Sequence, residues 1–161
     1  MVAGTTAPTV GGKITAAMYG QLSGFVSSFA HGEWTFSVSV PNASLTSLAA
    51  GSTAVTSMSS TNIASFVSTT ASGFSPSVSG LYLVTLQANL TVGATGRSFV
   101  SISSSLTAPD YRASTTVEDI LLVTAVMYIT AGASVTFQFF QTTTATRVVT
   151  GRFNISFLGA L

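Results

Sequence analysis

The chain has 161 residues and a mass of 16.4 kDa, the length of a single domain, and its 47% of hydrophobic residues can build a core without disulfides or metals. Only 6% of the residues are charged, against about 25% in ordinary soluble domains, and the net charge is +1. Such a chain has no basic stripe, so we expect no nucleic-acid partner. The absence of cysteine excludes disulfides, thiol catalysis and thiolate metal sites.

Hydroxyl groups supply most of the polar surface, because the sequence holds 25 serines and 25 threonines. A net charge near zero favours association between free chains, so we expect this protein to act within an assembly. Residues 1–8 have neither a basic segment nor an apolar one, and no secretory signal is expected there. The most apolar stretch, Ile120–Ile129, is too short to cross a bilayer as a helix, so no membrane partner is expected.

Two segments precede the first strand pattern, and we assign residues 1–30 to an N-terminal region and residues 31–161 to the domain. Residues 1–13 are rich in Gly, Thr and Pro without periodicity, as in an arm or linker. A short amphipathic helix is predicted after Thr15, with a/d spacing over two heptads at Met18, Leu22, Phe25 and Phe29. Such a helix either lies on its own domain or bundles with copies of itself as a stem. Two heptads are fewer than a coiled coil usually shows.

Apolar and polar residues alternate from Trp34 to Val40, which predicts a half-buried strand. Residues 42–72 are weakly patterned, with short strands expected around Val55 and over residues 63–67. Further strands are predicted at residues 82–92, 100–102, 120–129, 135–139 and 153–157. The run at 120–129 is apolar throughout, which predicts burial on both faces. Short strands separated by turn signals are typical of an antiparallel sandwich or barrel.

Three segments resemble a known family. GFSPSVSGLYLV at residues 73–84 resembles the segment leading into a central strand of the complement/tumour-necrosis-factor-like jelly roll. MYITAGASV at residues 127–135 is similar to a later strand and turn of that family, with Ala133 in place of the usual acidic residue, and FNISFLGAL at residues 153–161 resembles the last strand. The resemblance covers about residues 34–161 and implies an all-β antiparallel sandwich, a jelly roll.

Domains of this family are typically homotrimers, packed around a threefold axis by aromatic and apolar residues, so the resemblance implies self-association. One predicted strand carries aromatic residues on both faces, at Phe137, Phe139 and Phe140. Because a sandwich sheet has one core face, either residues 42–72 or another subunit must cover the second set. The candidate trimer or attachment contacts are Met18, Leu22, Phe25, Phe29, Tyr82, Tyr128, Phe137 and Phe139.

The layout of a Gly/Thr-rich arm, a short helix and a Ser/Thr-rich jelly roll resembles small virion proteins of tailed bacteriophages. Capsid decoration proteins, head fibres and minor tail proteins share this layout. The resemblance implies a virion structural protein bound through its N-terminal region to the major capsid protein or another virion protein. The alternative is a tail receptor-binding or fibre-tip module that binds a cell-surface glycan.

The sequence offers little for catalysis. His31 is the single histidine, and it lies at the predicted junction between helix and strand, where a solvated linker histidine is expected. Acid–base chemistry requires positioned titratable groups, and the chain has four carboxylates, so we expect no enzyme, no cofactor and no transition-metal site. Some jelly rolls of this type bind calcium, for which Asp110, Glu118 and Asp119 are candidates, although Ala133 lacks the family's acidic group.

Overall fold

The structure is a computed structural model that describes residues 30–55, 59, 62–90, 96–104, 107–114 and 120–160, with the backbone alone for residues 107–114. The predicted arm and helix of residues 1–29 lie outside the described residues. The described part of the chain forms strands β1 (Ala30–Val40), β2 (Thr46–Ser47), β3 (Thr53–Ala54), β4 (Val67–Thr69), β5 (Gly73–Pro76), β6 (Gly80–Leu90), β7 (Ser98–Ser104), β8 (Thr107–Ser114), β9 (Ile120–Ile129), β10 (Val135–Gln141) and β11 (Arg147–Gly159), with one helical turn, α1 (Ile63–Phe66).

The strands form two antiparallel sheets. The first sheet has the order β3-β1-β11-β6-β9, and the second has the order β4-β5-β10-β7-β8, with β2 also paired to β10. The main pairs are nested, because β7 pairs with β8, β6 with β9, β5 with β10 and β1 with β11. Nested pairs of this kind arise when one long hairpin wraps around a common core, which is the topology of a jelly roll.

The core lies between the two sheets and consists of the alternate residues of each strand that point inwards. Both β6 and β10 bury every second residue along their whole length. Aromatic rings join the sheets at the centre, where the Phe153 ring of β11 lies 4.6 Å from the ring of Phe137 in β10. Trp34 of β1 stacks on Phe153 with ring centroids 5.3 Å apart. These rings provide much of the apolar area that holds the sandwich together.

Glycines permit two local features of this packing. A Cβ at Gly151 in β11 would lie 2.7 Å from Cζ of Phe36 and would overlap the carbonyl oxygen of Gln87, so the close approach requires glycine. Gly132 has a φ of +80° in the turn between β9 and β10, a conformation that favours glycine, and its N–H donates to the Pro76 carbonyl at 2.8 Å. This turn joins the two strands predicted at residues 120–129 and 135–139.

Most predicted strands are confirmed, as β1, β6, β7, β9, β10 and β11. The first strand begins four residues before Trp34, at Ala30, because its pairing with β11 runs along its whole length. His31, which was expected in a solvated junction, therefore lies within β1 opposite Ser156.

Two predictions are wrong. Residues 63–67 do not form a short strand: Ile63–Phe66 is a helical turn, and β4 begins at Val67. The turn closes with a bond from Ser65 N to the Asn62 carbonyl at 3.0 Å, and it buries Ile63. Ile120–Ile129 is not buried on both faces either, because its residues alternate strictly between exposed and buried.

Candidate functional site

An exposed apolar surface lies on the outer side of the first sheet, where β9 forms the edge. Its residues on β9 have 41–63% of their surface exposed: Ile120, Leu122, Val126 and Tyr128. The odd-numbered residues of β9 point into the core and are buried, and Thr124 is the one polar residue on the exposed side of the strand. The half-buried residues Leu81 and Leu83 of β6 extend this surface. We call these six residues the β9 face.

The register between β6 and β9 builds this surface. Leu83 pairs directly with Val126, so their side chains lie next to each other on the outer side of the sheet. Thr85 pairs with Thr124, and their hydroxyl oxygens are 3.4 Å apart. This threonine pair separates the end of the β9 face that contains Val126 from the end that contains Ile120.

The middle of the same outer surface is polar, although β11 also exposes Val148 and Leu158 near its two ends. Arg152 of β11 donates through Nε to Gln87 Oε1 at 3.3 Å, and Gln87 Nε2 donates to Asn89 Oδ1 at 3.1 Å. The Arg152 guanidinium also lies 3.8 Å from the carboxylate of Glu33. Water screens this ion pair, since half of the Arg152 side chain is exposed. The outer surface of the first sheet is therefore apolar at the β9 edge and polar at its centre, between β6 and β1.

His31 lies on the polar side of this surface. Its Nδ1 is 2.7 Å from Oγ of Ser156, a distance at which the imidazole and the hydroxyl share a hydrogen bond. Serine and histidine in contact are two of the groups that nucleophilic catalysis uses. The carboxylate of Glu33, on the same strand, faces the guanidinium of Arg152 at 3.8 Å. In this arrangement the His31–Ser156 contact joins β1 to β11 across the polar side of the sheet.

The aromatic residues of β10 have different surroundings on its two faces. Phe137 and Phe139 are fully buried between the sheets. Phe140 is half-buried on the outer side of the second sheet, where its ring stacks on Phe99 of β7 with centroids 5.3 Å apart. A neighbouring strand thus supplies the ring partner of Phe140, which the sequence of β10 alone does not reveal.

The predicted contact residues occupy different places. Tyr128 lies on the β9 face and is exposed. The side chains of Tyr82, Phe137 and Phe139 are fully buried within their own subunit, so they contribute to its core instead of a surface that a second copy can reach. The remaining candidates lie outside the described residues: Met18, Leu22, Phe25 and Phe29.

Tyr82 shows why an aromatic residue of this sequence belongs to the core. Its hydroxyl donates to the Val78 carbonyl at 2.7 Å, so the polar end of the side chain has a partner although the ring is buried. Burial raises the pKa of Tyr82 to about 12. The phenol is therefore neutral over the whole physiological range.

Among the described residues, no three His, Cys, Asp or Glu side chains lie close enough together to hold a metal ion. The calcium candidates Asp110, Glu118 and Asp119 are not among the side chains that the structure describes. No helix within the described ranges is long and apolar enough to cross a membrane.

Sequence analysis missed most of the β9 face. The signal was available, because Ile120–Ile129 is apolar at both odd and even positions, whereas strands with one exposed face usually alternate. The pattern predicts that the chain itself covers both faces, whereas the fold leaves the outer face exposed. The residues overlooked in this way are Ile120, Leu122, Val126, Leu81 and Leu83.

Comparison with solved structures identifies the fold. The chain is similar to PRD1 vertex protein P5, with a TM-score of 0.64 and 14% identical residues over 81% of this chain and 97% of that chain. The domain is a jelly roll. Eiger TNF from S. frugiperda (TM-score 0.49, 12% identity, 83% of this chain and 94% of that chain) and the globular domain of zebrafish complement 1qA protein (0.48, 12%, 81% and 99%) are also similar. No family model and no curated protein sequence matches the chain.

Proposed function

We propose that this chain is a non-enzymatic structural protein of a bacteriophage virion, which forms a homotrimer and binds the capsid through residues 1–30. The observation that carries the proposal is the similarity of its fold to a vertex protein of PRD1 over 81% of the chain. The arm and helix predicted from residues 1–30 match the layout of small virion proteins. The low charge of the chain, 6% of its residues, suits a protein that is held in an assembly.

The β9 face supports self-association. It places four exposed apolar side chains on one long edge strand, and an exposed apolar edge of this length would be a hazard in a free monomer. A surface at one edge of a sheet can pack against a different surface of the next copy, and repetition of that contact closes a ring when the rotation allows it. The resemblance to the complement/tumour-necrosis-factor-like family makes three the expected number of copies.

Binding by avidity is the proposed mechanism. A trimer presents three N-terminal regions at once, and each bound arm raises the effective concentration of the other two at the particle. A protein that binds only the assembled capsid also stabilises that assembly by mass action. Weak single contacts would then be sufficient for stable attachment and for reinforcement of the particle.

The proposal predicts a specific result when the gene is deleted from the phage that encodes it. Wild-type particles should contain the chain in many copies, and particles that lack it should release their DNA at a lower temperature. Purified full-length protein added back should restore both properties. A few copies per particle, with normal head stability and lost adsorption to cells, would instead identify the tail receptor-binding module.

Truncation tests the role of the N-terminal region. The chain without residues 1–29 retains every described strand, because β1 begins at Ala30. We expect it to fold, with the same circular dichroism in the strand region as the full chain, and to lose binding to the deficient particles. Binding equal to that of the full chain would contradict attachment through residues 1–30.

A further inference from the structure

We propose that the predicted amphipathic segment of residues 14–29 lies across the outer side of its own first sheet and covers one end of the β9 face. The occupant is this chain's own N-terminal segment, with its apolar stripe at Met18, Leu22, Phe25 and Phe29. Three observations carry the inference: the position at which the described chain begins, the distance that the preceding residues can span, and the clustering of the exposed apolar side chains.

The chain enters the sandwich next to the exposed surface. Ala30, the first residue of β1, lies in register with Phe157 of β11, Tyr82 of β6 and Met127 of β9. These four residues form one row across the sheet, and their own side chains are buried. A segment that continues from Ala30 along this row crosses β11 and β6 before it reaches β9.

The outward-pointing neighbours of this row are apolar at the β9 end. Leu83 pairs with Val126 on one side of the row, and Leu81 pairs with Tyr128 on the other side. Val126 is 63% exposed in the described part of the chain. A helix laid along the row would therefore pass between two apolar pairs, each of which offers side chains to its apolar stripe.

The lengths agree. Three spacings between neighbouring strands separate Ala30 from β9, a distance of about 14 Å. A helix rises about 1.5 Å per residue, so Leu22 would lie about 12 Å from Ala30 and Met18 about 18 Å from it. The apolar stripe thus reaches β9, with Leu22 close to that edge strand and Met18 about 4 Å beyond it.

The width of a helix divides the β9 face into two parts. A helix is about 10 Å across, which is enough to cover the rows of Val126 and Tyr128, about 7 Å apart along the strand. Leu122 lies about 13 Å from Val126 and Ile120 about 20 Å from it, so both remain uncovered. This step rests on the proposed function. The end of the β9 face that contains Leu122 and Ile120 can then contact the neighbouring copy, and residues 1–13 can bind the particle.

Paired cysteines test the inference cleanly, because the chain has no cysteine of its own. The full-length double variant Leu22→Cys, Val126→Cys is treated with a short bismaleimide and examined on a denaturing gel and by mass spectrometry. We expect an efficient crosslink within one chain. The matched control Leu22→Cys, Ile120→Cys uses the same strand and face about 20 Å away, and it should crosslink at least tenfold less. The control Gln21→Cys, Val126→Cys, rotated by about 100° on the helix, should also crosslink poorly.

Each alternative occupant gives a different result. A crosslink between chains in the Leu22–Val126 variant would assign the segment to a neighbouring copy and overturn the inference. No crosslink, or equal crosslinking of the Ile120 control, would overturn it as well. The mass of the untreated protein in solution tests the trimer separately: a monomer with an efficient crosslink within the chain would reject the proposed trimer and retain this inference.

Discussion

Leu83 of β6 and Val126 of β9 lie directly opposite each other on the outer side of the first sheet, where apolar side chains form a cross-strand pair that points away from the core. Val126 is 63% exposed, whereas the next residue of the strand, Met127, is 5% exposed. Burying an apolar side chain of this size stabilises a protein by about 2 kcal/mol. The pair therefore favours any arrangement in which another apolar surface covers it.

Replacing an apolar residue of the β9 face by a charged one should dissociate the trimer without unfolding the subunit. Leu122→Asp places a carboxylate on a side chain that is 46% exposed in the subunit, so the fold should tolerate it. In an interface between two copies, an unpaired buried charge costs at least about 3 kcal/mol, which raises the dissociation constant of the trimer more than 100-fold. Analytical ultracentrifugation over a range of concentrations measures this change.

A matched control distinguishes the loss of an interface contact from a general effect of the added charge. Ser134→Asp adds the same carboxylate at an exposed position in the turn between β9 and β10. Its dissociation constant should stay within about twofold of the wild type. If Leu122→Asp remains as trimeric as Ser134→Asp, the β9 face does not form the interface between copies.

Gln141 should be important for stability although it is polar. This side chain is fully buried, and its Nε2 donates to the carbonyls of Val40 at 3.1 Å and Ala145 at 2.8 Å, while its Oε1 accepts from Thr143 N at 2.6 Å. Gln141→Leu leaves these groups unpaired, so we expect the free energy of unfolding to fall by about 3 kcal/mol. Urea denaturation at a fixed chain concentration measures it. Gln138→Leu, on the opposite face of β10, should cost less than about 1 kcal/mol, and equal losses would contradict the assigned role.

Alkaline pH should destabilise the protein through Tyr82. Its pKa is about 12 in the folded chain and 10.0 in the unfolded chain, because burial disfavours the phenolate. The folded state thus holds a proton that the unfolded state releases, so this contribution to stability is complete below pH 10 and is lost as the pH rises towards 12. Absorbance at the phenolate band should show one tyrosine that titrates late, and Tyr82→Phe should remove that step. A late step that persists in Tyr82→Phe would assign it to another tyrosine.

The sandwich itself was accessible from the sequence because its core strands alternate. In β6 the buried residues are apolar, and the outer side includes Thr85, Gln87 and Asn89, so the period of two marks both the strand and its inner face. The pairing of β1 with β11 was not accessible in this way. Residues 30–33 carry no alternating pattern of their own, and their partners lie more than a hundred positions away in the sequence.

The sequence shows that both sides of β9 are apolar, but it does not show what covers the outer side. An apolar residue such as Val126 has the same identity whether its own chain or another copy covers it, and the pattern of Ile120–Ile129 is the same in both cases. Tyr82 and Tyr128 illustrate the same limit. Both were candidates for a seam, yet register places Tyr82 in the row that faces the core and Tyr128 in the row that faces outwards. Only the fold separates them.

The measurement that tests the central claim most directly is the mass of the purified full-length protein in dilute solution, by light scattering or native mass spectrometry. A trimer of 16.4 kDa chains, stable as the concentration falls, is the result that the account predicts. A stable monomer of 16.4 kDa would contradict it, because three arms could not then bind together and the exposed β9 edge would have no partner of its own kind.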